Sequence, residues 1–282
     1  MRRLLLSSAA LSMLTVPSLA ADVVYEEQMM APAPMMIEPV ASGWTGLYVG
    51  VQGGGAFNPS NPDNVTLQTN GFALNRAGVV GTNAGNPTGS LGGAFGRNYE
   101  SSFDSSFVGG AHIGYDYQID QFVIGAVADF NAIDVSRNST ADSSTPAFYR
   151  TERNLDFLGT VRARAGYLVT PSTLAYATGG LAYGNVDYNF SSDSPAITAA
   201  NPAIVREDED DVGYAVGGGM EVMFTDNMSF GAEYLYVNLG GGGSTRLAGG
   251  PFAGGVGGST DFVVDDDFDF HTVTAKISYK FK

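Results

Sequence analysis

Few side chains in this 282-residue sequence combine the type and the spacing that chemistry demands. The two histidines, His112 and His271, lie far apart and lack a paired-ligand spacing such as H-x-x-x-H. Neither haem nor zinc therefore finds a donor set, and each histidine reads best as structural. No serine partner can be identified for His271, so a Ser–His hydrolase is a distant third reading. Met29, Met30, Met35 and Met36 offer soft thioethers for copper(I), but no His or Cys assists them. The glycine tracts at residues 240–243 and 254–258 precede no Lys-Ser or Lys-Thr, which makes them loop material and not phosphate cradles. Cysteine is absent, so there is no disulfide framework and no lipid-modified cysteine. What remains is charge: Asp116, Asp129, Asp156, Glu221 and Glu233 against Arg162, Arg164 and Lys276. Arg162 and Arg164, two residues apart, point the same way in a strand, and guanidinium forks suit bidentate pairing with carboxylates. The chemistry of such a set is pairing. No catalytic residue, cofactor or metal site is expected.

The elements that must position these charges show a period of two, repeated eight times: residues 44–57, 104–117, 121–132, 154–169, 173–186, 212–224, 228–239 and 268–281. In the first, Leu47, Val49, Val51 and Phe57 oppose Tyr48, Gly50, Gln52 and Gly54; in the last, Val273, Ala275, Ile277, Tyr279 and Phe281 oppose Thr272, Thr274, Lys276, Ser278 and Lys280. The fourth sets Leu155, Phe157, Val161, Ala163, Ala165 and Tyr167 against Asp156, Thr160, Arg162 and Arg164. In the fifth, Tyr176 and Tyr183 fall on opposite parities around Gly179 and Gly180, which suggests a glycine bulge. Residues 118–120, 170–172 and 225–227 are tight turns, whereas 58–103, 133–153, 187–211 and 240–267 are long, polar connections. Short turns at one rim and long loops at the other predict an all-β fold, an eight-stranded antiparallel up-and-down transmembrane β-barrel with periplasmic turns and extracellular loops.

The chain start fixes the compartment. Arg2 and Arg3, an apolar stretch over residues 4–16, and Pro17-Ser18-Leu19-Ala20 form a signal peptide over residues 1–20, too short in its apolar part to span a bilayer. Residues 21–43, rich in proline and acidic groups, read as a flexible periplasmic linker, and 44–282 as the barrel domain. Without Arg2 and Arg3 the mature chain has 12 basic and 29 acidic residues, a net charge of −17 that argues against nucleic acid as a partner. Lysine is confined to Lys276, Lys280 and Lys282, a scarcity unlike that of a water-soluble surface.

Alternation alone leaves the outward face open, since a soluble ligand-binding barrel would turn the pattern inside out. Volume decides. The apolar face carries many rings, among them Phe57, Phe107, Tyr115, Phe122, Phe130, Phe157, Tyr167, Tyr214, Phe224, Phe230, Tyr234 and Tyr279, and a lumen of eight strands has no room for them. These rings also gather near strand ends, as two interfacial belts would. The charged face is then inside, where the eight residues Asp116, Asp129, Asp156, Arg162, Arg164, Glu221, Glu233 and Lys276 form a network that fills the core, with a gated small-ion path as the alternative. The acidic clusters at residues 207–211 and 265–267 with Asp269 lack the D-x-D-x-D-G pattern and read as solvated loops, with loose calcium or magnesium bridging to lipopolysaccharide phosphates as the alternative.

Five segments carry a resemblance: "GWTGLYVGVQGGGAF" from Gly43, "LGTVRARAGYL" from Leu158, "YATGGLAYGNV" from Tyr176, "GGGMEVMFTDNMSFGAEYLYVNLG" from Gly217 and "TVTAKISYKF" from Thr272. Together they resemble the porin-like, opacity-protein-like surface antigens of Gram-negative bacteria, a group with haem-binding members. The resemblance covers nearly all the strands and none of the long loops. It implies an eight-stranded outer-membrane barrel inserted by the barrel-assembly machinery, which reads a C-terminal aromatic. Tyr279 and Phe281 are the matching positions, although Lys282 follows where a terminal Phe is usual. No haem motif transfers to numbered residues. The expected function is a structural, surface-exposed protein of the cell outer membrane, monomeric, in contact with lipid and lipopolysaccharide, supporting envelope integrity and conducting ions weakly if at all. A loop-based receptor or adhesin for haem or a host component is the alternative.

Overall fold

The computed structural model describes residues 43–59, 65–69, 72–73, 99–142, 147–207, 212–240, 243–248, 259–264 and 268–281. Residues 1–20, expected to be a signal peptide, the methionine pairs, residues 208–211 and 265–267 of the acidic clusters and most of the glycine tracts lie outside them. The described residues contain no helix. The strands are β1 (Gly46–Phe57), β2 (Val65–Thr69), β3 (Phe72–Ala73), β4 (Tyr99–Asp104), β5 (Ser106–Ile119), β6 (Phe122–Asp142), β7 (Phe148–Thr170) and β8 (Thr173–Tyr183). They continue as β9 (Val186–Ser192), β10 (Ala203–Glu207), β11 (Val212–Met223), β12 (Met228–Leu239), β13 (Gly243–Ala248), β14 (Ser259–Val264) and β15 (Phe268–Phe281).

Every pairing is antiparallel, and the pairing closes on itself. β1 lies between β15 and β5, and the series runs on through β6, β7, β8, β11 and β12 back to β15. Closure removes the exposed sheet edge that neither lipid nor water tolerates well. Outside, the wall is apolar: Phe107 is 70% exposed, Leu181 65% and Phe122 61%. An apolar band of this extent belongs in a bilayer. Its rings meet near the strand ends, Phe122 against Tyr167 and Tyr279 against Phe281 at the turn end, Phe130 against Phe157 and Phe57 against His271 at the other. The turns themselves are tight. Asp120 adopts a φ of 52°, a left-handed conformation that Asp accepts more readily than most residues.

Three features differ from the sequence reading. The first is β8, which has no glycine bulge: its register with β7 runs unbroken from Tyr183 to Leu174, with Tyr176 simply facing in and Tyr183 out. The break falls instead between β6 and β7, where Ile133 and Asp134 oppose Asp156 alone. That extra residue changes which face β7 presents, so Leu158 and Leu155 both point inward and Asp156 is exposed. Asp156 is therefore not part of the lumen.

The third difference is the long connections, which are strands in large part. β6 and β7 run on past the ring, flanked by β4 and β9, while β10, β13, β14, β2 and β3 form a second sheet. The barrel wall thus continues beyond the apolar band as two sheets. Ala141, Ala147, Tyr149, Leu247 and Phe262 are buried between them, with Phe190 packed alongside. Phe262 stacks on Tyr149 at 5.4 Å and meets Phe190 at 5.6 Å.

Candidate functional site

Alternate side chains of the ring point to the barrel axis and sort into three layers. At the loop end lies an apolar layer to which every ring strand contributes: Ala56, Val108, Ile133, Val135, Leu155, Leu158, Ala182, Ala215, Leu235, Val237, Leu239, Phe268 and Phe270. At the turn end Trp44, Val123, Leu168, Leu174 and Tyr176 form a second, with Met223 against it. Between them sits the charge.

The middle layer is built from two linked knots. In one, Arg162 Nη2 donates to Asp129 at 2.6 Å and to Glu233 at 3.0 Å, while its Nε donates to Thr160 at 2.8 Å. Lys276 donates to the same Glu233 oxygen at 2.9 Å, and the Tyr176 hydroxyl to the other at 2.9 Å. Asn131 and Thr160 also donate to Asp129, and Gln52 donates to Asn131. In the second, Arg164 Nη1 donates to Glu221 at 3.2 Å and to the Tyr48 hydroxyl at 3.0 Å, its Nε lies 3.6 Å from Asp116, and its guanidinium sits 4.1 Å from the Tyr176 ring centroid. Lys280 donates to Asp116 at 2.9 Å and to the Trp44 carbonyl at 2.6 Å. His112 shares a hydrogen bond with Ser278 at 2.8 Å.

Arg162, Arg164, Lys276 and Lys280 face Asp116, Asp129, Glu221 and Glu233, four cations against four carboxylates, all buried. The layer is neutral as a whole, which is the condition for enclosing so many ions away from bulk water. Space for the larger members comes from glycine on facing strands. A Cβ on Gly114 would lie 2.3 Å from the Tyr48 hydroxyl, and one on Gly219 would lie 2.7 Å from that of Tyr176.

Of the eight residues that the sequence placed inside, the structure brings seven together and turns Asp156 outward. Lys280, Tyr48, Tyr176 and Trp44 join the network without having been singled out. Lys280 was legible, since it shares parity with Lys276. Trp44 shares parity with Tyr48 and Gln52 in the segment read as residues 44–57, but the structure begins β1 at Gly46 and leaves Trp44 in a turn before it. His271 faces outward at the loop end, its Nδ1 2.6 Å from the Tyr234 hydroxyl and its ring among Phe57, Tyr234 and Tyr236. The two histidines thus lie on opposite sides of the wall. Among the described residues no group of three or more His, Cys, Asp or Glu could hold a metal ion.

Beyond the ring, Arg246 of β13 grips Asp261 of β14 with both forks, at 2.9 and 3.0 Å, and this hydrogen-bonded carboxylate raises the guanidinium pKa. The Tyr188 hydroxyl meets Thr245 at 3.2 Å across the two sheets, and burial pushes its phenol up.

Comparison with known proteins agrees with this architecture. The chain is 29% identical to the 31 kDa outer-membrane immunogenic protein of Brucella melitensis, over the whole of both chains. It is 27% identical to the 25 kDa outer-membrane immunogenic protein of the same species, over 85% of each. A 22 kDa outer membrane protein of Rhizobium leguminosarum is 30% identical over 47% of this chain and 52% of its own. The family model described as outer membrane protein beta-barrel domain matches residues 6–281. With its closed sheet, lipid-facing wall and paired lumen, the chain belongs to that family and is a protein of the Gram-negative outer membrane.

Proposed function

We propose that this protein is a closed, non-conducting scaffold that holds a two-sheet surface structure on the outside of the cell, with the tight turns facing the periplasm. The observation that carries this reading is the apolar layer at the loop end, to which all the ring strands contribute. Ions cross neither a dry apolar plug nor a narrow lumen filled with neutralised pairs. The relatives bear the name immunogenic, which fits a structure exposed to the surroundings. Arg246, exposed Ile204 and Val205 and the polar outer faces of β4 and β9 are then outward contact surface, and the work of the membrane ring is anchoring. The one Ser–His contact described in the lumen, His112 with Ser278 at 2.8 Å, is buried inside the barrel, and His112 Nδ1 has no orienting partner among the described residues, so the pair reads as structural and the protein as a non-enzyme.

The test is single-channel recording of the folded protein in planar bilayers, with antibodies to residues 243–248 applied to intact cells. The expected result is a silent bilayer and labelled cells. Steady open-channel current from the unaltered protein, or antibody binding only after the outer membrane is breached, would overturn the proposal.

A further inference from the structure

Below the loop-end apolar layer the lumen turns polar, and its hydrogen bonds do not all close within the protein. Gln52 Oε1, His112 Nδ1 and Arg162 Nη1 are buried atoms with no hydrogen-bond partner among the described residues. The first accepts, the last donates, and the imidazole nitrogen does either. Water is the ligand that serves such a mixed set in a confined space. We propose that the lumen between its two apolar layers is a closed, water-holding chamber, and that Trp44 is a stopper at its turn end.

Trp44 is fully buried, yet it is not part of the ring. It precedes β1 by two residues and is held from several directions. Its backbone N–H donates to Gln118 at the end of β5, its indole N–H donates to the Pro171 carbonyl in the β7–β8 turn at 3.2 Å, and its carbonyl accepts from Lys280 near the end of β15. The ring begins at Gly46, which pairs with Asp116 of β5 and whose φ of 142° lies in a region closed to other residues. A Cβ there would come 2.3 Å from the Phe281 carbonyl oxygen. The bend at Gly46 carries Trp44 off the line of the strand and into the mouth. Polar ties and a glycine hinge make a removable part. The turn-end layer has one member off the ring, Trp44, beside Val123, Leu168, Leu174 and Tyr176, whereas every member of the loop-end layer sits on a ring strand and cannot withdraw without opening the barrel. The chamber therefore opens at the turn end alone, a conclusion that rests on the closed loop end proposed above.

The absence of cysteine makes the test clean. Ser278→Cys puts one thiol in the chamber, beside His112, and Ser172→Cys puts one in the β7–β8 turn as a control for topology. A membrane-impermeant methanethiosulfonate reagent is applied to intact cells, then to cells with a permeabilised outer membrane. Slow reaction of the chamber thiol is expected in both conditions with Trp44 present. With Trp44→Ala, reaction should speed up on the order of tenfold or more, only after permeabilisation. Trp44→Phe, which keeps a ring, should restore slow labelling. Heat-dependent gel migration verifies that each variant is folded; if Trp44→Ala does not assemble, Trp44→Leu is read in its place. Equal rates with and without the indole would overturn the stopper. Rapid labelling of the chamber thiol in intact cells would instead overturn the closed loop end, and the control thiol reports separately whether the turns face the periplasm.

Discussion

Arg164 shows what a charge needs in order to sit inside a narrow barrel. It has Glu221, Asp116 and Tyr48 as polar neighbours and the Tyr176 ring against its guanidinium, while its Nη2 has no hydrogen-bond partner among the described residues. Arg164→Leu should strand Glu221 and cost about 3–5 kcal/mol in urea unfolding from lipid vesicles, as breaking a buried pair from one side does. Adding Glu221→Leu should recover a large part of that loss; additive losses in this cycle would show that the two are not coupled. A second expectation concerns shape. Gly114→Leu drives a side chain into the Tyr48 hydroxyl and should destabilise the fold by about 1–3 kcal/mol, as overpacking does, whereas Gly55→Ala, with only a distant backbone oxygen nearby, should be close to neutral. The inward direction of Arg162, Glu221, Glu233 and Lys276 was readable because strand parity is strict. Asp156 misled the same rule because the bulge at Ile133 and Asp134 leaves no mark that parity reading detects.

The elements divide at the edge of the membrane in how plainly they can be read. Within the apolar band each strand must show lipid a greasy face and the axis a small or polar one, and that contrast writes the period of two into β1, β5 and β15. Past the band the outer faces of β6 and β7 meet water, and the inner faces need only a few anchors. Stretches such as residues 133–142 consequently alternate Ser, Thr, Asn and Arg with little contrast, and they read as loops. Gly243 shows the same limit. It looks like part of a flexible tract, yet a Cβ there would lie 2.5 Å from the Tyr188 ring on the opposite sheet. Gly243→Val should force the sheets apart. Limited proteolysis of membrane-embedded protein should then cut residues 186–207 faster than in the unaltered chain, by about fivefold or more, with the ring intact. Unchanged cutting would mean that the two sheets do not depend on this contact.

At the scale of the whole molecule, the closed sheet should make the folded form resist detergent and run ahead of its boiled form on a gel. Identical migration of membrane-inserted protein before and after boiling would contradict the closure. The architecture was the most legible property of all, since membrane, turn and lumen each constrain sequence independently and agree here. The packing of the two outer sheets was the least legible, because no bilayer disciplines their residue pattern.

The pairing of β1 with β15 also has a consequence in time. Leu47 lies opposite Phe281, so the contact that shuts the ring joins residues near the two ends of the barrel sequence. Loop-closure entropy and high contact order make that step late and slow relative to the hairpins β5–β6 and β11–β12. A chain still emerging from synthesis cannot complete its barrel, and for as long as the ends stay apart two strand edges lie open to a catalyst of insertion or to aggregation. The sequence supplies its own clock for this event. Trp44, the only tryptophan, becomes buried where Gln118, Pro171 and Lys280 converge, so its fluorescence should change after circular dichroism has already recorded most of the sheet.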